Sequence, residues 1–111
     1  MKIPEDAIIA DDKLTKYLLI HRPEDDKSKF LGLAGFDVSC ADSLRDELRA
    51  LAARVDAVED GVNSQGTYYL VRGAITGPNG RSLKVVTVWI HLQADGSYRF
   101  VTLKPDKSRQ P

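Results

Sequence analysis

A chain of 111 residues matches the usual size of one domain, long enough for one hydrophobic core and too short for two. Its formal net charge is zero, with 29% charged and 42% hydrophobic residues, a globular balance that argues against both a disordered chain and a strongly basic one. A field strong enough to draw nucleic acid in from a distance is therefore excluded.

In chain order, Met1-Lys2-Ile3-Pro4-Glu5-Asp6 begins with charge and a proline, which is not the pattern of a secretory signal. Ala7 to Ala10 is a short apolar run, an edge strand or an extended arm. Asp11 and Asp12 can cap a helix with Leu14, Tyr17, Leu18 and Leu19 at helical spacing. The charged connector Arg22-Pro23-Glu24-Asp25-Asp26 cannot continue that helix through its proline, and Asp25 or Asp26 can cap the next one. The spacing predicts this second helix over about 27–34, ending at Gly35. Ser39, with Asp42 three residues on, resembles a capping box for the longest helix. Its Leu44, Leu48, Leu51, Ala52 and Val55 make a stripe at least about 100° wide, as expected of a helix lying on a sheet.

Glu59 to Gln65 reads as a polar loop. After it come three β-rich runs, Thr67 to Ile75, Ser82 to Leu92 and Ser97 to Leu103, joined by Gly77-Pro78-Asn79-Gly80 and Ala94-Asp95-Gly96. Tight turns of this kind make an antiparallel meander. The expected fold class is α+β, with N-terminal helices packed on a curved antiparallel meander of three to four strands. One domain spans 1–111, with its core at about 8–105 and a flexible tail at 106–111.

Cys40 is the only cysteine, so an internal disulfide and a zinc site built on thiolates are both excluded. No apolar run approaches the roughly 20 residues that span a bilayer. A cytoplasmic protein without metal, cofactor or membrane attachment is the expectation. The neutral total hides a split. From Thr67 to Lys104 the charges sum to +4, and from Ala41 to Asp60 to −3, which makes the predicted sheet basic and the predicted helix acidic.

If Val86, Val88 and Ile90 face the core, the strand period of two puts Thr87, Trp89 and His91 together on the other face. With Val101 and Leu103 inward, Tyr98, Phe100 and Thr102 join them. On the first strand one phase offers Tyr68, Leu70 and Arg72, the other Tyr69, Val71 and Ile75. Arg72 is placed outward because an unpaired buried arginine is costly. Such a face suits a phosphate-bearing, base-stacking ligand. Two plainer readings stand beside it: Trp89 and Phe100 form a second small core, or the face binds a protein partner. His21, beside Arg22 at the end of the first helix, has the side chain best suited to proton transfer near neutral pH. Lys13 and Lys29 can offer point charges to a phosphate, and Arg81 follows a turn with free amides.

The order Lys13-Leu14-x-x-Tyr17-Leu18-Leu19, a proline connector, Lys27-Ser28-Lys29-Phe30-Leu31, Ala34-Gly35-Phe36, a helix, Gly66-Thr67-Tyr68-Tyr69-x-Val71-x-Gly73, Thr76-Gly77-Pro78-Asn79-Gly80-Arg81, Val85-Val86-Thr87-Val88-Trp89 and Phe100-Val101-Thr102 resembles a bacterial domain of unknown function. That family occurs free-standing and resembles C-terminal modules of polymorphic toxins. The resemblance runs from about Ile8 to Pro105. It implies a fold similar to the barnase, EndoU, colicin and RelE group of metal-independent ribonucleases.

The implied function is a toxin-like endoribonuclease or RNA-binding domain, with RNA and a cognate antitoxin or immunity protein as partners. The alternative is a non-catalytic partner-binding module that uses the sheet face or edge. Lys13, Lys29, Tyr69, Arg81, Thr87 and Thr102 are the polar positions that the resemblance carries. His21 and His91 join them on chemical grounds. The catalytic candidates are thus Lys13, His21, Lys29, Tyr69, Thr87 and His91, and the substrate-binding candidates Arg72, Arg81, Trp89 and Thr102.

Overall fold

The computed structural model describes residues 1–19 and 27–107. A helical turn, α1 (Asp11–Lys13), continues as a π-helical turn over Leu14–Leu18. Next come α2 (Lys27–Gly32), a 3-10 turn at Val38–Cys40 and the long α3 (Ala41–Arg54). The strands are β1 (Val58–Val62), β2 (Gly66–Thr76), β3 (Ser82–Leu92) and β4 (Tyr98–Pro105). They form one antiparallel sheet in the order β1-β2-β3-β4. The protein is an α+β fold with its helices first and an open four-stranded meander after them.

Helix α3 buries the stripe that its sequence marks, with Leu44, Leu48, Leu51 and Ala52 all in the core. The same core takes Ile3, Ala7 and Ile9 from the N-terminal arm, Leu14 and Leu18 from the first helical segment, and Leu31 from α2. Gly73 shows how closely α3 approaches the sheet: a Cβ there would stand 2.5 Å from Leu51 Cδ1. The arm is held to α3 by Arg49, whose Nη1 donates to the carbonyls of Glu5 (3.2 Å) and Ala7 (2.9 Å). Arg45 of α3 also pairs with Asp11.

Three local expectations need correction. Ser39 does not cap α3. The carboxylate of Asp37 accepts from the Ser39 amide (2.9 Å) and hydroxyl (2.5 Å), capping a 3-10 turn that leads into the helix. The segment Glu59 to Gln65 is not all loop, because Val58–Val62 is a strand whose every residue is exposed. An edge strand held only by main-chain pairing shows no alternation for a sequence to reveal. Asp11 and Asp12 sit inside the first turn of α1 instead of capping it. Strand β4 runs through Pro105, and the Asp106 amide donates to the Lys84 carbonyl. The connector Arg22 to Asp26 lies outside the described residues.

The sheet's borders are closed in different ways. Past Val58↔Leu70, β2 extends beyond β1. There Glu47 of α3 accepts from the Thr76 amide at 2.6 Å, and Arg54 donates to the Ala74 carbonyl at 2.6 Å. On β4, Ile8 of the N-terminal arm bridges Arg99 in parallel, exchanging hydrogen bonds with Tyr98 and Phe100 at 2.8 Å each. Helix α2 ends at Gly32, short of the expected 34, and Gly35 closes the turn after it with φ +88. The Asn79 amide donates to the Ala34 carbonyl at 3.2 Å, which ties the β2–β3 turn to that end.

Leu48 has no exposed surface. Leu48→Asp places an unpaired carboxylate in the core, and urea denaturation should show little cooperatively folded protein, whereas Leu48→Ala should cost about 2 to 5 kcal/mol. A cooperatively melting Leu48→Asp variant would contradict the placement of α3. Hydrogen bonds from the Ser39 and Cys40 side chains hold the Asp37 carboxyl below its usual 3.8. A lowered folded value means that the stabilisation is present above 3.8 and fades as pH falls through the lowered value. Thermal melting from neutral pH downward should therefore lose stability more steeply for the wild type than for Asp37→Asn at the acid end.

Candidate active site

The phase of β3 is the reverse of that read from the sequence. Leu83, Val85 and Trp89 face the helices, and Thr87 lies among them with no exposed surface, while Trp89 is 1% exposed. Val86 and Ile90 are also well covered but lie on the opposite face, outside the helix-side core. Both phases of this strand are apolar, so alternation alone cannot choose between them. The indole decides, since it carries the largest apolar area on the strand and has a polar end that must be satisfied. Its Nε1 donates to Thr87 Oγ1 at 2.9 Å, and Thr87 Oγ1 donates to the Val71 carbonyl at 2.9 Å. Thr87 and Trp89 therefore lie in the core, out of reach of a macromolecular substrate.

A bulge corrects the reading of β4. Trp89 pairs with Phe100, yet Val88 pairs with Thr102, so Val101 is an extra residue. Phe100 and Leu103 both turn inward as a result. Phe100 meets Trp89 edge to face at 5.3 Å, and Thr102 falls beside Val88 instead.

The remaining candidates are spread over the molecule. Tyr69 and His91 share the helix side of the sheet near its far end. There His91 stacks on Tyr98 at 4.2 Å with ring planes 1° apart, and Tyr69 lies 6.1 Å from Tyr98. Burial pushes the Tyr69 phenol up, aided by Tyr98 and Glu59, so Tyr69 keeps its proton at neutral pH. Arg72 is on the opposite face, as expected, with Nη1 3.4 Å from Asp106 Oδ1. Arg81 is exposed after the β2–β3 turn, its amide donating to Asn79 Oδ1 at 3.0 Å. Lys13 ends α1, half-buried, and Lys29 is exposed on α2. His21 lies outside the described residues.

The grouping that the structure does make involves one expected residue and two that were passed over. Lys27, at the start of α2, reaches Tyr17 Oη at 3.3 Å and Thr102 Oγ1 at 3.5 Å. Its ammonium also stands 5.4 Å from the centre of the Tyr17 ring. All three residues are half-buried. They come from the first helical segment, the start of α2 and strand β4, with 75 residues between Lys27 and Thr102. A cation, a phenol and an aliphatic hydroxyl thus meet at one place. Each can donate to a phosphate oxygen, and the ammonium supplies the charge. Some warning lay in the chain itself, because Tyr17 is the polar-tipped member of an otherwise aliphatic stripe and Lys27 follows two aspartates. Tyr17 passed for core and Lys27 for a helix start. Among the described residues, no three histidine, cysteine or carboxylate side chains gather as a metal site would require.

An α+β chain with its helices on one side of an open antiparallel sheet defines a broad structural class. This chain belongs to the family described as a domain of unknown function (DUF6883), which matches residues 2–107. No curated protein matches it in sequence. Among solved structures, it is similar to a chain of a contact-dependent growth inhibition toxin–immunity protein complex from Klebsiella pneumoniae 342. The TM-score is 0.64 and the identity 17%, over 90% of this chain and 93% of that one. At that identity the likeness is one of fold. No helix among the described residues is long and apolar enough to cross a membrane.

Thr87→Val should separate structure from chemistry. It removes the acceptor of a buried indole N–H and the donor to the Val71 carbonyl, which costs about 1 to 3 kcal/mol. Urea denaturation should record that loss. An unchanged midpoint would mean that the buried pair of hydrogen bonds is not formed.

Proposed function

We propose that this protein is a toxin-like endoribonuclease whose site is built around Lys27, Tyr17 and Thr102. The convergence of those three side chains from separate elements carries the reading. The fold's likeness to a chain of a toxin–immunity protein complex supports a place in a toxin system. In the proposed reaction the ribose 2′-hydroxyl gives up its proton and attacks the adjacent phosphate, the P–O5′ bond breaks, and the 5′-oxygen leaves with a proton, giving a 2′,3′-cyclic phosphate and a 5′-hydroxyl. Lys27 balances the charge growing on the phosphorane oxygens, and Thr102 donates to one of them. Lys29 lies two residues from Lys27 and adds positive charge for the backbone. His21, nominated by its chemistry, is the proposed proton carrier.

A second reading, that of a non-catalytic partner-binding module, is favoured by the sheet face turned away from the helices. Cross-strand pairing aligns Val58, Leu70, Val88 and Thr102 there, and beside them Arg72 and Lys104 flank the buried Val86. An apolar row with cations beside it suits a protein surface bearing carboxylates.

Induced expression in a bacterial host separates the two. The wild type should arrest growth and fragment RNA. Lys27→Ala and Thr102→Val should each lower cleavage by about 100-fold or more, as loss of one oxyanion donor does, with little change in melting temperature. Full-rate growth with intact RNA in the wild type would overturn the nuclease reading and leave the binding one.

A further inference from the structure

The outer edge of β1 pairs with no described residue, the last arm contact before it being the Ala57 amide on the Met1 carbonyl at 2.6 Å. The β2 overhang is closed by Glu47 and Arg54, and the start of β4 by Ile8 of the arm. Along β1, by contrast, all five residues are exposed, and Val58 and Val62 are 66% and 72% exposed, the highest values among the chain's exposed large hydrophobics. Of the usual protections of a free edge, the strand has a bulge and two acidic side chains. The strand has no lysine and no proline, and its only irregularity is the bulge between Glu59 and Gly61. The outward direction of one amide follows from pairing. Asn63 donates inward to the Gly66 carbonyl at 3.0 Å, so by the alternation of an antiparallel ladder the neighbouring Val62 points its N–H and C=O away from β2.

We propose that β1 is a docking edge for an extended, basic segment of a protein partner, which adds a fifth strand to the sheet. Main-chain hydrogen bonds hold such a segment, and its side chains choose the partner. The register puts Val58 on the face of Leu70, and Glu59 and Val62 on that of Tyr69 and Thr67, so the guest sets an apolar residue beside Val58 and lysine or arginine beside Glu59, with Asp60 close by at the bulge. Those two acids give the strand a charge of −2 with no cation on it. The same acids exclude a second copy of the chain as the occupant, because antiparallel self-pairing sets Glu59 and Asp60 against their own kind. This surface is independent of the Lys27 site and stands whether or not the protein cleaves RNA.

The full chain is titrated with an alternating lysine–valine hexapeptide and with its glutamate–valine counterpart, and amide chemical shifts and hydrogen exchange are followed by NMR. The basic peptide should shift the amides of Val58–Val62 and slow exchange at Val62. It should bind about tenfold more tightly than the acidic one, roughly what exchanging a repulsive for an attractive cross-strand charge pair at Glu59 supplies. Val62→Pro deletes the outward N–H and should lose binding, whereas Val62→Thr should keep it. Glu59→Lys with Asp60→Lys should reverse the preference, which keeps the proposal testable if the proline variant fails to fold. Overturning results are shifts confined to other strands, equal binding of both peptides, binding indifferent to Val62→Pro, or no shift at about 1 mM peptide. Shifts at β1 that follow protein concentration without peptide would also overturn it, in favour of a second copy.

Discussion

Burial of one indole organises the sheet. Trp89 lies against Phe100 within the core that α3 and the N-terminal arm close, and its N–H is satisfied by Thr87, which is itself anchored on the Val71 carbonyl. A tryptophan brings more apolar area than any valine of β3, and its single donor needs a partner wherever it is buried. Thr87, two residues away on the same strand face, is that partner. Once Trp89 faces inward, the pleat assigns every other residue of β3 to a side, and cross-strand pairing carries the assignment to β2 and β4.

That assignment decides what the surface can do. Rings and hydroxyls that looked available on β3 are core. The face away from the helices carries aliphatic residues, of which Val86 and Ile90 are well covered, with Arg72, Lys84 and Lys104 beside them. Polar chemistry gathers instead at the border, where β4 meets the start of α2 and the first helical segment. An edge strand serves such a site well: a helix packed on one side of the sheet can still reach a strand side chain there, as Lys27 reaches Thr102.

The borders also divide the labour of the sheet. Side chains of α3 close the overhang of β2, and the N-terminal arm closes the start of β4. Those contacts join the helices and the arm to the sheet through main-chain groups as well as through the apolar core. Strand β1 takes no part in them, since its five residues bury nothing and depend on β2 alone. A strand so weakly invested in the core is free to meet another chain.

Much of the fold was legible without coordinates. The α3 stripe, β3 with its bounds at Ser82 and Leu92, and β2 within one residue at each end all followed from local spacing and turn chemistry, which act over a few residues. Four features did not. The cap passed from Ser39 to Asp37 because a 3-10 turn intervened. Strand β1 was hidden because it exposes both faces. The bulge at Val101 broke the period that placed Phe100 outward. The phase of β3 stayed open because both of its faces are apolar, and only packing against α3 chose between them. For the site, the sequence could nominate Thr102 and Lys29 as polar side chains. The meeting of Lys27 with Tyr17 and Thr102 belongs to the tertiary structure, since contacts across 10 and 75 residues depend on how helices and sheet are stacked, and no local pattern encodes that.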